Sequence, residues 1–108
     1  MALYVDLPVY RDTYQLILKI FEVTKDFPRE YKFSLGQDMK RDAMQLVRSI
    51  YRSNKARDKT DALENFLDEF ELIKLQIRLC ADLKVLPLKQ QAALSLLLDS
   101  TFYQWVSC

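Results

Sequence analysis

The residues of this chain best placed to do chemistry are cations. Arg41, Arg48, Arg52, Lys55 and Lys59, with Arg57 beside them, are spread along the stretch from Ser34 to Lys59. If that stretch is a helix advancing ~100° per residue, the first five share one sector. Leu35, Met39, Ala43, Leu46 and Ile50 fall in the opposite sector and form a core seam. Guanidinium groups spaced along one face suit bidentate contact with phosphate or carboxylate. Three readings stay open: a solvated face, either bare or ion-paired to the acids that follow it, a sequence-independent grip on phosphate backbone, or docking to an acidic protein surface.

Catalysis has little to work with. The chain holds no His, which excludes a His general base and the Glu-x-x-His di-iron pattern. A single Gly leaves no P-loop and no dinucleotide fingerprint. Glu64, Asp68 and Glu71 share a helix face, but a solvated acidic face near a helix N-terminus explains them better than a site for a hard cation. Cys80 lies in an apolar seam and reads as core packing, while Cys108 is terminal and incidental. The expectation is a non-catalytic protein with no metal and no cofactor. Tyr10, Tyr14, Tyr51 and Trp105 offer rings for stacking on bases, although packing in a core or interface is the commoner use of such residues.

These cations must be positioned by helices. At 108 residues, half of them apolar, with one Gly and three Pro, the chain has too few turn residues for a many-stranded β fold. One domain over residues 1–108 is expected. Net charge is +1, but residues 40–59 are mostly cationic whereas 60–71 carry only Asp and Glu. No signal-peptide pattern and no long apolar run is visible, which suggests a cytoplasmic setting away from membranes.

Four helices are expected in an antiparallel up-down-up-down bundle. The first runs from Pro8 to about Asp26, with Tyr10, Tyr14, Ile17 and Phe21 as its apolar stripe, widened by Leu18. The second opens at Ser34, where Gln37 completes a capping-box pattern. The third spans about Asp61 to Lys84 with Thr60 as N-cap, and Leu63, Phe66, Phe70, Ile73, Ile77 and Cys80 form its seam. Leu72, Leu75, Leu79 and Leu83 lie on its other side. They are covered either within the protomer or by another subunit, and a chain this small favours the subunit interface. The fourth starts at Pro87 and reaches about Val106, with apolar residues nearly all round.

Three stretches carry a family resemblance: LPVYRDTYQLILKIFEVTKDFPREYKFSLGQDMKRDA, LVRSIYRSN and FELIKLQIRLCADLKVL. They resemble four-helix-bundle proteins that include the accessory variability determinant (Avd) of diversity-generating retroelements. A sister branch is encoded by intervening sequences in large-subunit rRNA genes. The join FPREYKFSLG and the segment IYRSN are the most distinctive parts. The resemblance implies a homopentameric barrel whose basic surface binds a cognate reverse transcriptase and RNA or DNA, largely without sequence preference. The rival reading is a structural or interaction protein of the intervening-sequence type, without a reverse transcriptase partner. Avd proteins are typically strongly basic, whereas this chain is nearly neutral.

Overall fold

The computed structural model describes residues 7–55 and 59–106. Arg57 and Cys108 lie outside the described residues, as do the side chains of Lys55 and Lys59. The elements are α1 (Pro8–Thr24), α2 (Arg29–Lys32), α3 (Leu35–Lys55), α4 (Lys59–Asp82) and α5 (Leu88–Val106). The four long helices form a bundle about 44 × 22 × 19 Å, in which α3 packs on α4, α1 on α3, and α5 on α1. Only α4 and α5 are loosely apposed.

Pro8 occupies the first turn of α1, where its missing N–H is no loss. The buried face of this helix is Val9, Thr13, Leu16, Ile17, Ile20, Val23 and Thr24. The expected stripe is therefore corrected. Ile17 is buried, but Tyr14, Leu18 and Phe21 are exposed. Two threonines make the true face look less apolar than it is. Thr13 donates its hydroxyl to the Val9 carbonyl at 2.7 Å, which satisfies it inside the core.

Residues 28–33, expected as a plain connection, hold the single turn α2, started by two N–H bonds to the Pro28 carbonyl. That turn undoes the expected cap. Ser34 Oγ donates to the Glu30 carbonyl at 3.1 Å, one turn back, so it does not serve the first N–H groups of α3. The Ser34 carbonyl still accepts the Asp38 N–H at 3.0 Å and opens the helix. Gly36 is buried in the next turn, where a Cβ would stand 3.4 Å from the Tyr31 carbonyl oxygen and 3.6 Å from the Phe27 ring. Those are ordinary contact distances, so the space beside Gly36 would also take a methyl group.

α4 begins at Lys59, which puts Thr60 inside its first turn. Phe66, Phe70, Ile73, Ile77 and Cys80 are buried as the seam requires, whereas Leu63 is partly exposed. The helix ends in a Schellman motif. Val85 N–H reaches the Cys80 carbonyl at 3.1 Å, Lys84 N–H reaches Ala81 at 3.0 Å, and Lys84 takes φ 61°. Pro87 caps α5 with its carbonyl, which accepts the Gln90 and Gln91 N–H groups. Of the apolar residues around α5, Leu94, Leu98 and Trp105 are buried, while Leu88 and Leu96 face outward. Trp105 stacks on Phe66 with ring centroids 4.0 Å apart, closing one end of the core.

Candidate functional site

α3 is fastened on both flanks, and this fixes which of its residues face solvent. Toward α4, Gln76 Nε2 donates to Asp42 at 2.7 Å and Ser49 Oγ donates to Glu69 at 2.6 Å. One turn before Asp42, the sulfurs of Met39 and Cys80 lie 3.4 Å apart. Each step forward on α3 is matched by a step back on α4, so the pair is antiparallel and in one register. Toward α1, Lys40 holds its ammonium 5.7 Å from the centre of the Phe21 ring, a cation–π contact. Between these flanks the seam residues Met39, Ala43, Leu46 and Ile50 are sealed.

The face left over carries the cations. Arg41, Arg48 and Arg52 are all exposed on it, but they differ in their partners. Arg41 pairs with Asp38 at 3.2 Å and with Asp42 at 3.3 Å. Its charge is largely answered within its own helix. Arg48 and Arg52, one turn apart, make no ion pair among the described residues. The acids at the start of α4 do not reach them. Glu69 is occupied by Ser49, and Glu71 pairs with Lys74 at 3.3 Å. Pairing with those acids therefore does not describe Arg48 and Arg52, whereas a plain solvated face does.

Leu72, Leu75 and Leu79 are exposed in the protomer, Leu75 to 61 %. Leu83 joins them. Because α4 and α5 are loosely apposed, a groove of about 560 Å³ opens between them. It is lined by apolar Leu75, Ile77, Ala81 and Leu98 together with charged Glu71, Lys74 and Arg78. Among the described residues no group of three or more His, Cys, Asp or Glu side chains converges on a metal-sized site. No described helix is long and apolar enough to cross a membrane. Burial pushes the Cys80 thiol up to about 11, opposed weakly by a backbone hydrogen bond, so it stays protonated at neutral pH.

Sequence reasoning offered Tyr14 and Tyr51 for stacking on bases but did not join them to this face. Tyr14, Phe21, Met44 and Tyr51 are exposed, helical spacing sets Tyr14 with Phe21 on α1 and Met44 with Tyr51 on α3, and Lys40 meets the Phe21 ring between the two helices. Assigning Tyr14 and Phe21 to the core hid the pattern. The wheel position of Met44 and Tyr51, between seam and cations, was the available signal.

Residues 9–101 match the family model described as bAvd-like, and the chain belongs to that family. No curated protein matches it.

Proposed function

We propose that the chain is a non-catalytic accessory protein of a diversity-generating retroelement. In this reading it binds a reverse transcriptase and nucleic acid through the outer face of α3. The observation that carries the reading is the pair Arg48 and Arg52, exposed and without an ion pair among the described residues, on the side of α3 away from its buried seam. Lys55, Arg57 and Lys59 extend the same stretch in sequence. Arg41 contributes less, because Asp38 and Asp42 already answer its charge. Leu72, Leu75 and Leu79 then serve as subunit contacts in a homo-oligomer, which the family resemblance makes a pentamer. A ring repeats one weak basic face several times, and high effective concentration turns the repeats into one firm grip.

The test is fluorescence anisotropy with labelled RNA and DNA over a salt series, beside pull-down of any reverse transcriptase that proves to be encoded next to this gene. Phosphate contacts release counterions, so affinity falls linearly in log–log terms as salt rises. Arg48→Glu with Arg52→Glu weakens binding to every sequence and flattens that slope. Arg48→Gln with Arg52→Gln separates lost attraction from added repulsion. Unchanged binding of both partners in both variants rules the reading out. The near-neutral net charge of +1 favours a second reading, a structural bundle of the intervening-sequence type with no reverse transcriptase partner.

A further inference from the structure

The α1/α3 side of the bundle carries more than cations. Tyr14, Phe21, Met44 and Tyr51 are exposed there, and Tyr14 is braced by Tyr10, with ring centroids 6.2 Å apart. Lys40 already sits over the Phe21 ring. Arg48 follows Met44 by one turn and precedes Tyr51 by three residues, so a cation stands between an apolar side chain and a ring on one side of α3. Carboxylates are turned elsewhere. On α3, Asp42 is bonded to Gln76 of α4 and, like Asp38, to Arg41. On α1, Asp12 accepts from Ser100 of α5 and Glu22 pairs with Lys19.

A duplex keeps its base faces inside and offers this surface phosphates, sugars and base edges but no face on which a ring could stack. A purely apolar partner has no use for the cations. A ligand that is anionic and also presents free π faces uses both. We infer that this face binds single-stranded nucleic acid, with bases stacked on Tyr14, Phe21 and Tyr51 and phosphates held by Lys40 and Arg48. The inference rests on the nucleic-acid reading above and adds a strand preference to it. Stacking on aromatic side chains tolerates any base, because every base has a π face. Tyr14 and Phe21 stand roughly 10 Å apart along α1, so they form two separate platforms.

The experiment compares three labelled probes of equal length: an oligothymidylate, an abasic oligomer and a duplex. The wild-type protein binds the oligothymidylate more tightly than the abasic oligomer, a comparison that needs no variant. Tyr14→Ala with Tyr51→Ala weakens oligothymidylate binding by roughly five-fold or more and leaves the other two probes unchanged. Tyr14→Phe with Tyr51→Phe retains binding, since the ring is what stacks. Arg48→Gln weakens all three. Equal wild-type affinity for the oligothymidylate and the abasic oligomer overturns the strand preference, while the salt-dependent grip of Arg48 and Arg52 still stands. Loss of the oligomer in the alanine pair, seen by light scattering, makes the face a subunit contact and overturns the inference as well. Binding of none of the probes by the wild-type protein removes the nucleic-acid reading and the inference together.

Discussion

α3 buries Met39, Ala43, Leu46 and Ile50 along one stripe and turns charge to solvent. Its neighbour α4 buries Phe66, Phe70, Ile73, Ile77 and Cys80, yet also turns Leu72, Leu75 and Leu79 outward. A helix with one apolar stripe is completed by its own chain. A helix with two is completed only when something else covers the second. Under the proposed function the two outer faces do different work: α3 offers charge to a ligand, and α4 offers apolar area to a second copy.

The contrast breaks most visibly at Phe66. This side chain is sealed between Phe70 and Trp105, and Phe66→Ala should cost about 3–5 kcal/mol in denaturant unfolding. Leu75→Ala, on the outer face, should stay within about 0.5 kcal/mol when measured on dilute monomer. Equal costs would mean that the two faces of α4 are not distinct.

Cys80 tests the inner face by pH. Its folded value of about 11 lies above the ordinary 9.0, so burial penalises the thiolate. Below pH 9 the thiol is neutral in both states and stability is fully retained. As pH climbs from 9 toward 11 the unfolded chain loses the proton first, and on the order of 2 kcal/mol disappears. Thermal melts over that range check it, with Cys80→Ala as the variant that lacks this loss.

Smaller effects sharpen the description of α3. Ser49→Ala leaves Glu69 without its donor and should cost roughly 1 kcal/mol, whereas the solvent-facing Arg48→Gln should cost less than half of that. Ser34→Ala should be nearly silent, within about 0.5 kcal/mol, because its hydroxyl serves an exposed carbonyl of α2. A full capping-box loss in the melt would restore Ser34 as the cap of α3.

Much of this was legible in the sequence. The seams of α3 and α4 were readable because each keeps one strong period, and Pro8 and Pro87 marked helix starts. The first helix misled because large aromatic rings read as core and threonines do not. Thr13 and Thr24 are buried all the same, their hydroxyls bonded to carbonyls of their own helix. The pairing of Arg41 with Asp38 was within reach, since they stand three residues apart on one helix. The bonds from Gln76 to Asp42 and from Ser49 to Glu69 were not, because they join helices whose register no local pattern announces.

Those two bonds also decide which bundles the chain cannot form. Apolar surfaces forgive slippage: α3 moved by one turn along α4, ~5.4 Å, still sets methyl against methyl. The polar pairs do not forgive it. Asp42 and Ser49 are seven residues apart, as are Gln76 and Glu69, so both bonds form in one alignment and both fail together in the next. Ser49 and Gln76, which are buried, would then lose their partners at roughly 1–3 kcal/mol each. Misaligned compact states are raised in energy while the aligned one is not, which widens the gap that makes a native state unique. A version with apolar residues at 42, 49, 69 and 76 should melt no earlier than the natural chain, yet refold to a mixture of alignments.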